Sequence, residues 1–225
     1  MTAPRIALIH ATPLAMTPIS DAFARLWPQA HIQHLLDDRL SQDRARDGEL
    51  TPAMTQRLVD LALYAQRAGA SGILFTCSAF GPAIEAAAAA TGLPTLKPNE
   101  AMFEQALTQK RDSQVLQVGL VATFEASIDA MSQEFLALAQ ARGVAVALHT
   151  QFVPQAMDDL ARGDAQAHHH KVARGVAALP ACDVVMLAQF SMAAAQTPAQ
   201  QHRKAPVLTS PDCAVLALQQ RMHHV

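Results

Sequence analysis

Short apolar runs alternate along this 225-residue chain with longer segments of mixed polarity. Several runs are continuously apolar, as strands buried on both faces of a parallel sheet are. The candidate strands are "RIALIH" (5–10), "HIQHLL" (31–36), "GILFT" (72–76), "PTL" (94–96), "QVGLVA" (117–122), "AVALHT" (145–150), "DVVMLA" (183–188) and "PVLT" (206–209). Their alternation with helix-like segments predicts an α/β fold with largely parallel sheets.

The segments between the strands carry signals for helix ends. Thr-Pro pairs at Thr17 and Thr51 are typical of an N-cap residue followed by proline in the first helical turn. The helix that starts at Thr51 is predicted to stop at Gly69, because glycine is common just beyond a helix C-terminus. An amphipathic segment from Phe124 to Gly143 ends in the same way.

The two halves of the chain match at an offset of 112 residues. "IALI" corresponds to "VGLV", "GILFTCSAF" to "VVMLAQFSM", and "PTLKPNEA" to "PVLTSPDC". Matches in one order at one offset predict two pseudo-symmetric α/β lobes, residues 1–97 and 98–209, with a last helix (210–225) that can pack on the first. Because ligands of open α/β sheets bind beyond the carboxyl ends of the strands, we expect an active-site cleft between the lobes.

One pair of equivalent positions in this repeat differs in its chemistry. Cys77 directly follows a predicted strand, whereas the equivalent position holds Gln189. Amide groups at a helix N-terminus lower a thiol pKa and bind carboxylates, and Ser78 is a candidate cap for such a helix. A buried structural cysteine is the alternative. Gln189 can donate to an oxyanion or cap the next turn, but an amide is no base near neutral pH.

Composition and charge exclude several classes of function. The net charge is -2 and there is no block of lysines or arginines, so we expect neither nucleic acid nor a membrane as a partner. No apolar run is long enough for a transmembrane helix, and the N-terminus lacks a secretion signal. Three widely spaced cysteines form no disulfide framework, which favours the cytoplasm. The sequence has neither a metal-ligand motif nor a Gly-rich phosphate loop, so we expect no metal and no cofactor.

Together, these motifs resemble the aspartate/glutamate/hydantoin racemase superfamily. "FTCSAFG" is similar to the catalytic site of its first lobe, "LAQFSM" to that of its second, and "LVATFEASI" to the turn that opens the second lobe. The resemblance implies proton transfer without a cofactor at the α-carbon of a small carboxylate or amino-acid-like substrate, and it allows a homodimer. Family members use one thiol from each lobe, and Gln189 departs from that pattern. A single-cysteine arylmalonate decarboxylase belongs to the same superfamily, but its cysteine resembles the second position.

The sequence therefore predicts a racemase-like isomerase with Cys77 and Gln189 as the catalytic pair. The alternatives are an arylmalonate-type decarboxylase and a catalytically impaired protein that binds small carboxylates. Hydroxyl groups and one histidine near strand ends are candidates for substrate binding, although turn and cap hydrogen bonds would use the same residue types. The candidate binding residues are His10, Thr12, Thr76, Ser78, Thr123, Ser127 and Ser191. The sequence leaves the substrate open.

Overall fold

A computed structural model describes residues 3–109 and 114–223, and these residues form eight strands and ten α-helices. The strands are β1 (Arg5–His10), β2 (His31–Leu36), β3 (Gly72–Phe75), β4 (Thr95–Leu96), β5 (Leu116–Ala122), β6 (Val146–Phe152), β7 (Val184–Leu187) and β8 (Val207–Thr209). The helices are α1 (Met16–Leu26), α2 (Leu40–Asp47), α3 (Pro52–Arg67), α4 (Gly81–Thr91), α5 (Glu100–Leu107), α6 (Ile128–Ala141), α7 (Ala156–Ala161), α8 (Ala165–Ala178), α9 (Gln196–Gln200) and α10 (Ser210–His223).

The chain divides into two compact units. The first combines residues up to Ala101 with those from Ala214 onward, and the second comprises Met102–Cys213. Within the described residues, each unit holds a four-stranded sheet with all pairings parallel, in the orders β2-β1-β3-β4 and β6-β5-β7-β8. The predicted fold class, α/β with two lobes of parallel sheet flanked by helices, is confirmed. The cleft expected between the lobes stays a prediction.

The two sheets repeat each other residue by residue. The amide of Thr76 donates to Ile9 O at 3.1 Å, and the amide of Ala188 donates to Val121 O at 2.9 Å, which is the same bond shifted by 112 residues. The strand pairs β1–β3 and β5–β7 keep this offset throughout. The offset of β2 and β6 is 116 residues instead, because the connection through α6 is longer than the one through α1. The hydrogen-bond register therefore matches the repeat found in the sequence.

Ion pairs follow the same repeat. Asp43 of α2 pairs with Arg57 of α3 at 2.7 Å, and Asp159 of α7 pairs with Lys171 of α8 at 2.5 Å. In each unit a cation thus joins the helix after the second strand to the helix that follows it. A second cation, an arginine three residues beyond each aspartate, completes the cluster. These arginines are Arg46 and Arg162.

One helix start differs from the prediction. The Thr17-Pro18 pair was expected to cap α1, but the helix begins at Met16 after Ala15, which makes no side-chain cap hydrogen bond. The preceding Thr-Pro pair has that role for a short 3-10 turn (Pro13–Ala15), where Thr12 Oγ1 accepts from the amide of Leu14 at 3.4 Å. The Thr51 cap of α3 is present as predicted, with Oγ1 accepting from the amide of Met54 at 3.3 Å.

Candidate functional site

Cys77 lies at the carboxyl end of β3. It occupies the N-cap position of a 3-10 turn (Ser78–Phe80), and α4 starts directly after that turn. The thiol is half-buried. Burial raises its pKa, and the nearby Ala79 amide and the Ser41 hydroxyl oppose that rise only in part. A thiol with a raised pKa is largely protonated near neutral pH. The sequence had led us to expect that helix amides would lower the pKa, and here burial outweighs them.

The expected cap at Ser78 is absent. Ser78 is exposed and lies one residue past the cap position, which Cys77 itself occupies without a side-chain cap hydrogen bond. The Ser78 hydroxyl is therefore accessible beside the thiol. This location is compatible with the predicted role in substrate binding.

The candidate residues predicted from the sequence did not include Ser41, although its hydroxyl acts on the pKa of Cys77. Ser41 lies in α2, and its Oγ donates to Ala11 O at 2.9 Å. The sequence carries one signal that this segment packs against the core, because Leu40 is the one large apolar residue among the strongly charged residues 37–49. Leu40 is fully buried and fixes α2 against the core of the first unit.

Gln189 is held inside the second unit by hydrogen bonds. Its Oε1 accepts from the Thr123 amide at 2.9 Å and from Thr123 Oγ1 at 3.2 Å, while its Nε2 donates to Ser127 Oγ at 2.8 Å. Gln189 thereby links the end of β7 to the turn after β5. It occupies the N-cap position of a 3-10 turn (Phe190–Ala195), as Cys77 does in the first unit. The side-chain amide is committed to this link, which limits its reach toward a ligand.

The hydroxyls of the second unit have mainly local partners. Ser127 Oγ donates to Phe124 O at 2.7 Å in addition to accepting from Gln189. Ser191, a candidate for substrate binding, lies inside the 3-10 turn after Gln189. Turn and link hydrogen bonds therefore account for Thr123 and Ser127 without a ligand.

His10 is the buried centre of a chain of hydrogen bonds in the first unit. Ser20 Oγ donates to Met16 O at 2.8 Å, so it accepts from His34 Nε2 at 3.0 Å. His34 Nδ1 is then the acceptor for His10 Nε2 at 2.9 Å, and His10 Nδ1 accepts from Thr76 Oγ1 at 2.8 Å. This arrangement requires both imidazoles to be neutral.

Burial keeps that histidine pair uncharged. Desolvation, with a smaller effect of His34, lowers the pKa of His10 to about 4, and burial also lowers the pKa of His34. Thr76 is buried as well, so its hydroxyl serves this chain. His10 and Thr76 are therefore buried members of this chain of hydrogen bonds, whereas Thr12 and Ser78 lie closer to solvent.

Three consecutive histidines of α8, residues 168–170, lie apart from the candidate residues. His169 and His170 line a cavity of about 770 Å³ together with His202, and none of the candidate site residues lines it. Within residues 3–109 and 114–223, no three or more His, Cys, Asp or Glu side chains are placed to hold a metal ion. None of the described helices combines the length and apolar composition needed to cross a bilayer.

Comparison with known proteins identifies the family. The family profile described as Asp/Glu/Hydantoin racemase matches residues 10–218, which is most of the chain. The chain belongs to the Asp/Glu/hydantoin racemase family. No curated protein sequence matches this family member significantly.

Solved structures share the fold of this racemase-family chain at low sequence identity. Allantoin racemase from Klebsiella pneumoniae is 16% identical with a TM-score of 0.69, covering 98% of this chain and 88% of that one. A glutamate racemase isoform from Bacillus anthracis is 14% identical with a TM-score of 0.64, covering 100% and 83%. A glycine-to-cysteine mutant of arylmalonate decarboxylase is 20% identical with a TM-score of 0.67, covering 96% and 92%. At these identities the likeness concerns the fold alone.

Proposed function

We propose that this chain is a cofactor-independent, racemase-like enzyme in which Cys77 transfers a proton at the α-carbon of a small carboxylate or amino-acid-like substrate. The observation that carries the proposal is the Cys77 thiol at the carboxyl end of β3 in a member of this family. Ligands of parallel α/β sheets bind at that edge, and a thiol there can give or take a proton. The activity that follows is that of an isomerase.

The loops around Cys77 favour recognition of the carboxylate by neutral donors. Residues 11–15 and 76–80 contain no lysine or arginine. Thr12 is half-buried and Ser78 is exposed, and both residues follow strands at the same edge of the sheet as Cys77, so their hydroxyls are the proposed donors. Hydroxyl and amide donors arranged in this way stabilise negative charge that develops on an enolate oxygen. Leu14, which is 54% exposed, supports a substrate with an apolar group beside the carboxylate.

Decarboxylation is the second candidate reaction, and the state of the two equivalent residues favours it. Cys77 is largely protonated because its pKa is raised, and Gln189 offers no base. A substituted malonate that loses CO2 leaves an enediolate, which takes the S–H proton of Cys77 at carbon. The thiolate is then reprotonated from water. One proton donor gives one product configuration, whereas racemisation needs a base as well.

The ligand is a small carboxylate, and the family resemblance supports a homodimer. All three cysteines are free, which fits a reducing cytoplasm. A catalytically impaired binding protein is the outcome to distinguish, since the same hydroxyls would bind a carboxylate without turnover.

Proton NMR in D2O tests the proposal with a panel of amino acids, hydantoins and substituted malonates. We expect the wild-type protein to exchange an α-proton or release CO2 from one substrate class, and Cys77→Ser to lose this activity. Cys182→Ser is the matched control, because Cys182 is a half-buried thiol at the opposite end of a strand, before β7. Turnover retained in Cys77→Ser would exclude the thiol mechanism. Binding without any exchange would support the impaired binding protein.

A further inference from the structure

We infer that Ser41 is a positioning residue for the Cys77 thiol, with a hydroxyl that accepts a hydrogen bond from the S–H group in the resting state and donates one to the thiolate after proton transfer. The inference rests on the proposed function of Cys77. Ser41 would act through Cys77 and need not touch the substrate itself.

Strand register brings the Ser41 hydroxyl to the thiol. Ile9 of β1 pairs with Phe75 of β3, so Ala11 and Cys77, each two residues further on, leave neighbouring strands side by side. Ser41 Oγ is bonded to Ala11 O, and Cys77 packs against the apolar cluster that contains Ala11. The Ser41 hydroxyl and the Cys77 side chain therefore both lie at Ala11, the first residue after β1.

The hydroxyl has two orientations that match the two states of the thiol. While Ser41 O–H donates to Ala11 O, its lone pairs are available to the S–H of Cys77. When the thiol has given up its proton, the hydroxyl can turn away from Ala11 and donate to the sulfur. Consistent with the second state, Ser41 favours the charged form of Cys77 and opposes the rise of its pKa on burial.

Helix α2 is anchored so that Ser41 stays in place. Leu40, the preceding residue, is fully buried in the core of the first unit. Arg57 of α3 donates hydrogen bonds to residues on both sides of Ser41. Its Nε and Nη2 bond to Asp37 at 2.8 and 2.6 Å, and its Nη1 bonds to Asp43 at 2.7 Å. These contacts fix the start of α2 on either side of the hydroxyl.

The second unit has neither a serine nor a cysteine at the positions equivalent to Ser41 and Cys77. At the offset of 116 residues that relates β2 to β6, the position of Ser41 is occupied by Met157 of α7, and Gln189 replaces Cys77. The anchoring cluster persists there, because Asp159 still pairs with Lys171. The hydroxyl and the thiol therefore occur together in one unit and are absent together from the equivalent positions of the other.

Charged groups around Cys77 do not offer a competing explanation for its reactivity. Helices α2, α3 and α4 pack on the same face of the sheet, and several of their ionisable side chains form ion pairs. The shift of the Cys77 pKa comes from burial, the Ala79 amide and the Ser41 hydroxyl, and not from a charged side chain. Ionisable partners in these helices and their flanking segments are Asp37, Asp43, Arg46, Asp47, Arg57, Glu85 and Lys97. His10 and His34 lie on the other face, bonded to Thr76 and Ser20.

The test is the pH dependence of Cys77 alkylation by iodoacetamide, followed peptide by peptide by mass spectrometry without any substrate. Only the thiolate reacts, so the midpoint of the rate profile reports the thiol pKa. We expect Ser41→Ala to move the Cys77 midpoint upward and to lower its rate at pH 8 by roughly threefold to tenfold, because a lost thiolate hydrogen bond shifts the pKa by up to about one unit. Ser41→Thr, which keeps a hydroxyl, should stay near the wild-type midpoint.

Two internal controls separate this effect from a general loss of structure. Ser71→Ala removes a hydroxyl at the opposite end of β3, bonded to Arg5 N at 3.1 Å, and should leave the Cys77 midpoint unchanged. The Cys182 peptide should keep the same profile in every variant. An unchanged midpoint in Ser41→Ala, or equal shifts in Ser41→Ala and Ser41→Thr, would overturn the inference. A shift without turnover on any carbon acid would refute the proposed enzyme and leave the role of Ser41 intact.

Discussion

Residue by residue, the least expected feature of the first unit is a pair of neutral histidines, of which His10 is buried and His34 half-buried. His10 and His34 are hydrogen-bonded to each other and link Thr76 to Ser20, so four side chains form one chain of hydrogen bonds. The chain works only while both rings are uncharged, since a proton on either ring would remove an acceptor. The stability of the protein should therefore depend on pH below neutrality.

The sign of this dependence follows from the lowered pKa. The unfolded chain binds the His10 proton near pH 6.5, but the folded chain does so only near pH 4. The stability that neutral His10 contributes is thus fully present above pH 6.5 and is lost progressively between pH 6.5 and pH 4. At pH 5 we expect His10 to account for a loss on the order of 2 kcal/mol relative to pH 7. Urea unfolding of the wild-type protein at the two pH values measures the total change.

Variants assign this change to His10. His10→Asn should show a smaller difference in the free energy of unfolding between pH 7 and pH 5, although it will be less stable at pH 7. His202→Asn removes an exposed histidine and should retain the wild-type difference. An equally steep dependence in His10→Asn would contradict the assignment and shift it to other buried histidines, such as His168.

The sequence predicted the placement of Cys77 and Gln189 but not their partners. Both follow continuously apolar strands, and the repeat fixes their equivalence, so position could be inferred from local pattern alone. The pairing of His10 with His34 joins residues 24 apart on neighbouring strands and leaves no local signal. The pKa of Cys77 depends on how deeply the thiol is buried, and that quantity is absent from a pattern of residue types.

At the scale of elements, the strands were predictable, whereas helix α2 was not. The candidate strands agree with the observed ones to within two residues, because buried parallel strands need nearly uninterrupted apolar residues. Helix α2 falls in a strongly charged segment whose composition alone favours a solvated loop. It forms because Leu40 is buried and because Arg57 neutralises Asp37 and Asp43. Tertiary contacts of this kind override local propensity.

Arg57→Ala tests whether this cation holds α2 in place. We expect faster amide hydrogen exchange across residues 40–47 and a global destabilisation of about 1 kcal/mol, because two carboxylates lose a shared hydrogen-bond donor that is itself partly exposed. Hydrogen exchange with mass spectrometry measures the local effect. Arg67→Ala, at the exposed end of the same helix, is the control and should leave exchange in α2 unchanged. Unaltered exchange in α2 of Arg57→Ala would mean that Leu40 alone anchors the helix.

At the scale of the whole molecule, the two units of the repeat differ in how many segments of the chain build them. The second unit is a continuous stretch of chain, whereas the first combines both ends of the described chain. Leu218 and Met222 of α10 surround Gly72 at the start of β3, and Arg221 bonds to Thr95 O at 3.2 Å. The last helix thus supplies part of the core on which the strand carrying Cys77 rests.

Leu218→Ala should weaken the first unit selectively. Leu218 is fully buried, and truncation of such a leucine typically costs about 2–4 kcal/mol through lost burial and the cavity left behind. Hydrogen exchange should rise in β1 and β3, and Cys77 should become more accessible to alkylation, while β5 and β7 keep their protection. Leu216→Ala, on the same helix but 38% exposed, should change stability far less. Equal loss of protection in both sheets would show instead that the two units unfold as one cooperative structure, so that the chain ends stabilise the second unit as strongly as the first.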